Sequence, residues 1–126
     1  MLFSQMHHVA IIVSDYQRAK EFYVEKLGFP ILRENFRAER GDWKLDLQFG
    51  DGELELFAIP GAPPRPSWPE AQGLRHLAFR VEDVEAAVRA LEERGIPCEP
   101  IRYDPYTKSR MTFFHDPDGL PLEVHE

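Results

Sequence analysis

The sequence predicts an α+β fold of two βαβββ modules. Three observations predict it. His8-Val-Ala-Ile-Ile-Val-Ser-Asp15 aligns with His76-Leu-Ala-Phe-Arg-Val-Glu-Asp83 at an offset of 68, with His, Ala, Val and Asp in common. The same offset carries Glu55-Leu56-Phe57 onto Glu123-Val124-His125, so each half holds a His followed 47 residues later by a Glu. In both halves an alternating apolar stretch leads into a capped apolar helix and then into further strand-like runs. Self-similarity at a fixed offset marks duplicated modules.

Each element has a local reason. Residues 7–13 alternate and are rich in Val and Ile, which reads as a strand. Ser14 or Asp15 caps the helix that follows, with Gln17 at the capping-box distance from Ser14. Ala19, Phe22, Tyr23 and Leu27 supply its apolar stripe, and Gly28 ends it in the left-handed conformation. Strands are expected at 30–38, 43–50 and 53–59, the last two joined by the turn Gly50-Asp51-Gly52. In the second half the strand is 75–81 and the cap is Asp83. Val84, Ala87, Val88 and Leu91 form the stripe, and Gly95 ends it. The i,i+4 pairs Glu85–Arg89 and Arg89–Glu93 form a solvated face. Strands are expected at 98–103, 110–115 and 120–125, with Asp116-Pro117-Asp118-Gly119 as the last turn. Modules 6–60 and 74–126 thus make one domain over residues 1–126, joined by a linker at 61–73. Five prolines between positions 60 and 69 exclude a helix interior or a central strand there, so the linker reads as extended, with Trp68 covering apolar surface.

Composition narrows the function. The 126 residues are 43% hydrophobic and 29% charged, ordinary for a globular domain. The net charge of −7, without a long basic run, argues against nucleic acid or an anionic membrane as partner. No run approaches 18 apolar residues, and the first eight residues have no basic n-region, so neither a membrane span nor a secretory signal is expected. A cytoplasmic location follows as the default. Cys98 is the sole cysteine, so an intramolecular disulfide is excluded and a small, partly buried role is expected.

Strand side chains alternate between faces. Val9, Ile11 and Val13 share one face, which leaves His8, Ala10 and Ile12 on the other. Leu77, Phe79 and Val81 likewise leave His76, Ala78 and Arg80 opposite. Glu55 and Glu123 alternate with Leu54, Leu56, Leu122 and Val124, so they can share the face of the histidines. Singly, such a His is usually a hydrogen-bonded structural residue and such a Glu is usually solvated. The equal spacing in both halves raises the joint reading of His8, Glu55, His76 and Glu123 as ligands of one divalent cation. Nitrogen and oxygen donors without thiolate favour Ni, Zn, Mn, Fe or Co, and an octahedral shell leaves two positions for water or a chelating substrate. His7 is expected to point away, His115 is a weaker candidate, and His125 is expected to line the cup.

These residues resemble the vicinal oxygen chelate superfamily, whose best-known member is glyoxalase I. The motifs are residues 8–15, Phe22-Tyr23 with Leu27-Gly28-Phe29, residues 53–57, residues 75–79, and Asp116-Pro-Asp-Gly with Leu122-Glu123; together they span about residues 6–126. Pro66-Ser67, Pro69-Glu70-Ala71, Asp104-Pro-Tyr-Thr107 and Thr112-Phe-Phe114 are similar to a subgroup of small bacterial glyoxalase-like proteins. The resemblance implies a cup around one divalent metal held by His8, Glu55, His76 and Glu123. It implies that Glu55 and Glu123 are the catalytic carboxylates, Glu123 taking the carbon-bound proton of a thiol–2-oxoaldehyde adduct while the metal stabilises the enediolate.

Glyoxalase I of the bacterial type carries an arginine and an asparagine for glutathione where this chain has Ile12 and Ile59. Substitutes for binding an anionic substrate are Arg33, Arg37, Lys44, Arg80, Tyr106, Lys108 and Arg110, with His125 beside them. The expected function is a metal-dependent lyase or isomerase acting on a small oxoacyl thiol adduct or a related substrate with adjacent oxygens. Alternatives are a thiol transferase or dioxygenase of the same superfamily, or a non-catalytic small-molecule-binding protein. A second carboxylate, Glu55, argues against the dioxygenase, and the complete donor set argues against the binding protein. The 13-residue linker reaches roughly 40 Å in polyproline geometry, which permits a homodimer whose chains exchange modules.

Overall fold

The computed structural model describes residues 1–126 as two compact units, Met1–Pro64 and Arg65–Glu126. The boundary falls inside the proline-rich stretch, so Arg65 onward belongs with the second module. In the first unit, β1 (His8–Val13) leads into helix α1 (Tyr16–Lys20), which continues as a π-helical segment (Glu21–Lys26). Strands β2 (Ile31–Arg37), β3 (Asp42–Phe49) and β4 (Gly52–Ala58) complete a mixed sheet in the order β1-β4-β3-β2. The second unit repeats this pattern. Its elements are β5 (Leu77–Arg80), α2 (Val84–Glu93), β6 (Arg102–Tyr103), β7 (Arg110–His115) and β8 (Pro121–His125), with sheet order β5-β8-β7-β6. Each unit is therefore a βαβββ module.

The repeat extends to register. In the parallel pair β1–β4, Ala10 faces Glu55; in β5–β8, Ala78 faces Glu123. The offset of 68 maps one pair onto the other, so it describes a shared hydrogen-bonded frame as well as shared residue types. The caps also match. Asp15 accepts from the Arg18 amide and Asp83 from the Ala86 amide, each satisfying one of the unpaired donors of a first helical turn. Asp15, not Ser14, is the cap of α1. Gly28 and Gly95 follow the two helices at φ +83° and +76°, where a side chain would strain the backbone.

Four local differences from the sequence reading have physical causes. The first helix widens after Lys20: the Leu27 amide bonds the Phe22 carbonyl, five residues back. The wider turn buries Phe22 and Tyr23 and leaves Leu27 half-buried. The strand expected at 98–103 is reduced to Arg102–Tyr103. Pro97 and Pro100 have no N–H for a ladder, and Thr112 Oγ1 instead donates to the Glu99 and Pro100 carbonyls. Within the linker, Ser67–Glu70 forms a turn with a cis Trp68–Pro69 bond, so the segment is not uniformly extended. Trp68 is 85% exposed and does not cover apolar surface.

The cores lie on the helix side of each sheet. Ile11, Val13, Leu45, Leu47, Leu54 and Leu56 are buried, as are Ala19, Phe22 and Tyr23 of the helical segment, with α1 against β4; Phe114, Leu122 and Val124 lie on the side of Val84 and Leu91. Leu122 is fully buried on the central strand β8. Its replacement by alanine is expected to cost about 3 kcal/mol, through lost transfer energy and a residual cavity. A urea-unfolding midpoint followed by circular dichroism checks this; an unchanged midpoint would contradict the packing described.

Candidate functional site

Because Val9, Ile11 and Val13 turn to the core, His8, Ala10 and Ile12 take the open face of the first sheet. On β4 the residues between the buried leucines, Glu53, Glu55 and Phe57, share that face. The structure brings His8 and Glu55 together, with Nδ1 3.3 Å from Oε2. The second unit does the same with His76 and Glu123, Nε2 lying 2.9 Å from Oε2. His76 sits just before β5, and its ring meets Phe113 edge-on at 5.0 Å. Both carboxylates are buried, at 9% and 6% exposure, a position that is costly for a charged group without partners.

The donors fit a divalent cation. Two ligands about 2.1 Å from one ion, on adjacent octahedral or tetrahedral corners, lie roughly 2.9–3.4 Å apart. The His–Glu separations of 3.3 and 2.9 Å meet this in each unit. Imidazole and carboxylate suit the borderline divalent metals.

The surroundings of the two glutamates differ. Lys44 Nζ donates to Asp46 Oδ1 at 2.6 Å and lies 3.3 Å from Glu55 Oε1. Arg33 pairs with Asp46 at 2.9 Å and also with Glu53. Burial alone would push the Asp46 carboxyl up and the Lys44 ammonium down. Burial is the largest single influence on each, but their mutual hydrogen bond together with Arg33 on Asp46 and Glu55 on Lys44 outweighs it, so Asp46 lies below the ordinary carboxylate range and Lys44 above the ordinary lysine value. Asp46, Glu53 and Glu55 bring oxygens within 4.8 Å of one another. Two cations are interleaved with them, so the cluster is an ion-pair network around Glu55. Glu123 instead has only imidazoles beside it: His76, and His125 with Nε2 at 4.0 Å from Oε1.

The candidates for substrate contact divide by position. Lys44 lies on the His8–Glu55 face. Arg37 also lies there, but its guanidinium forks onto Asp42 at 2.6 and 2.7 Å and rests over the Phe57 ring. Arg33 is likewise engaged by carboxylates. His125 lies beside Glu123, with Nε2 3.6 Å from Asp104 Oδ2. The Tyr106 and Thr107 amides, with His125, hold the Asp104 carboxyl below its usual range. Tyr106 is 92% exposed, Arg80 is exposed, and Lys108 donates to the Pro105 carbonyl. Arg110 shares a strand face with buried Thr112 and Phe114, the helix side of the sheet. It is held by Glu126 at 2.6 and 2.7 Å, with Asp83 and Glu85 nearby. The structure therefore does not bring Arg110 to the face of Glu123. His7 precedes β1, so strand alternation does not govern it; its Nδ1 lies 2.9 Å from His8 Nδ1, and the side chain does not point away.

Sequence reasoning missed the salt-bridge network around Glu55. A signal for it was present: Asp42, Lys44 and Asp46 alternate strictly with Trp43, Leu45 and Leu47.

The comparisons agree with this architecture. The chain is 55% identical over 127 residues to protein YwkD of Bacillus subtilis (strain 168), covering 100% of this chain and 99% of that one. It superposes on the crystal structure of a glyoxalase family protein from Enterococcus faecalis with a TM-score of 0.96 at 60% identity, covering 100% of both chains. A 2-epi-5-epi-valiolone epimerase from Actinomyces sp is 32% identical over 142 residues, covering 94% of this chain and 77% of the epimerase. The family model for the Glyoxalase/Bleomycin resistance protein/Dioxygenase superfamily matches residues 5–124. The chain belongs to that superfamily.

Proposed function

We propose that the protein is a divalent-metal-dependent lyase or isomerase of glyoxalase I type, acting on a small oxoacyl thiol adduct or a related substrate with adjacent oxygens. The observation that supports it most is the duplicated His–Glu pair, with each imidazole at ligand-like distance from a buried carboxylate. Superfamily members commonly use a divalent metal. His8, Glu55, His76 and Glu123 are the proposed ligands. When bound, the metal supplies Lewis acidity to the adjacent substrate oxygens. Glu123 takes the proton from the carbon next to the carbonyl and returns it to the neighbouring carbon. The asymmetry of the glutamates favours this division of labour. Glu55 shares an oxygen with the Lys44 ammonium, whereas Glu123 faces imidazoles. We further propose that the protein works as a homodimer, in which the His–Glu pair of one chain's first module completes the set with that of the other chain's second module.

Glutathione is not the expected thiol. Ile12, 58% exposed on the His8 face, and Ile59, half-buried after β4, stand where the bacterial enzyme type carries its glutathione-binding pair. An isoleucine cannot hydrogen-bond the peptide's carboxylates or amides. Turnover of the methylglyoxal–glutathione adduct is expected to be weak or undetectable, with other thiols or a non-thiol substrate preferred. The test is an assay of metal-loaded protein against methylglyoxal with a panel of thiols. A kcat/KM above about 10⁶ M⁻¹s⁻¹ for the glutathione adduct would refute this thiol assignment.

A further inference from the structure

The second unit contains a cavity of about 390 Å³, within the range of small-molecule sites. One wall is the segment after the unit boundary, from Arg65 to Arg75. His76, Phe113 and Arg102 line it as well. The cavity therefore opens onto the sheet face that carries the His76–Glu123 pair.

Its charges do not cancel. Three arginines line it, Arg65, Arg75 and Arg102, against two glutamates, Glu70 and Glu99. Arg75 is paired with Glu70 at 2.8 Å and Arg102 with Glu99 at 3.2 Å. Arg65 is left over. One of its terminal nitrogens makes a long contact of 3.4 Å with the Arg75 carbonyl, and its Nε is buried without a hydrogen-bond partner. A buried N–H of a permanently charged guanidinium is expensive to leave unsatisfied, and the fork matches a carboxylate. The chain as a whole is acidic, at −7, so a local excess of one positive charge is a specific feature of this wall. One unmatched cation suits a monoanion better than a doubly charged phosphate. Leu74, Phe113 and Pro121 supply apolar surface for the body of the ligand.

We propose that this cavity receives the carboxylate end of a small organic acid, with Arg65 as its counter-ion, beside the His76–Glu123 pair. This names the charged end of the substrate for the site described under Proposed function, and to that extent rests on that reading.

The probes are 3-phenylpropionate and its neutral isostere 3-phenylpropionamide. Each is titrated into the full-length chain without added metal, following the ring protons of His76 and His115, which both line the cavity. The acid is expected to give saturable shifts at an affinity at least tenfold above that of the amide. Arg65→Gln is expected to reduce that preference at least fivefold. Arg89→Gln makes the same charge change on an exposed face of α2 and should leave it intact. Should Arg65→Gln not fold, Arg65→Lys keeps the charge but loses the planar fork, and the preference should fall at least threefold. Equal binding of acid and amide, or a preference that survives replacement of Arg65, would overturn the proposal. Inorganic phosphate binding tenfold more tightly than the acid would overturn the carboxylate assignment. Metal retention is measured separately, so failure here leaves the proposed metal ligands standing, and failure of the ligands leaves this result readable.

Discussion

Replacing His76 by alanine is expected to lower divalent-metal affinity by more than about 100-fold while leaving the fold in place. Loss of a group that merely orients a ligand already costs about 10- to 100-fold, so loss of a ligand should exceed that. The fold should tolerate the change because His76 lies before β5 and its side chain is about a quarter exposed. Its main neighbours, Phe113 and Glu123, are held by the β7–β8 ladder and not by the imidazole. Glu123 loses a partner, but His125 remains beside it. The measurement is metal content after gel filtration of protein purified without chelator and then metal-loaded, with the far-ultraviolet circular dichroism spectrum as the control for folding. Undiminished metal content in the variant would remove His76 from the set. A wild-type chain that retains no transition metal under replete conditions would remove the site itself.

The second large effect concerns mixing two defective chains. Each βαβββ module carries one His–Glu pair, so a four-ligand set needs one module of each kind. If chains exchange modules around a two-fold axis, a dimer of His8→Ala with His76→Ala carries both lesions in one site and none in the other. Each homodimer of either variant has a lesion in every site. Co-refolding equal amounts should therefore restore roughly a quarter of wild-type sites, since about half of random dimers are mixed and each has one intact site of two. Metal retention reads this out without a known substrate. If each site is built within one chain, every site in the mixture keeps a lesion and nothing returns. No recovery in mixtures shown to contain heterodimers would rule out the shared site.

Legibility from sequence followed the range of the interactions involved. The Asp83 cap, the terminating glycines Gly28 and Gly95 and the Asp116-Pro-Asp-Gly turn were all readable, because a side chain and backbone within a few residues settle them. Strand parity was readable for the same reason. Buried Ile11 and Val13 put His8 on the open face, and buried Leu54 and Leu56 put Glu55 beside it. Parity did not decide β7, where Phe113 and Phe114 are both aromatic; the position of α2 makes Phe114 the core residue and turns Arg110 away from Glu123. The π-helical turn at Glu21–Lys26 had no signal that single-residue propensity could carry.

What the sequence alone determined is the duplicated module, its order of elements and the pairing of one His with one Glu at equal spacing. What only the tertiary structure decided is which charges neutralise which. Arg33 and Lys44 looked available for an anionic ligand; the register of β2 and β4 against β3 places them among Asp46, Glu53 and Glu55. Arg65 looked like part of a spacer; folding of residues 65–75 over the second sheet leaves it with an unpartnered N–H in a cavity wall. The physical reason is common to both. The face on which a side chain emerges is a property of its own backbone, whereas its charge partner is set by strands and segments tens of residues away.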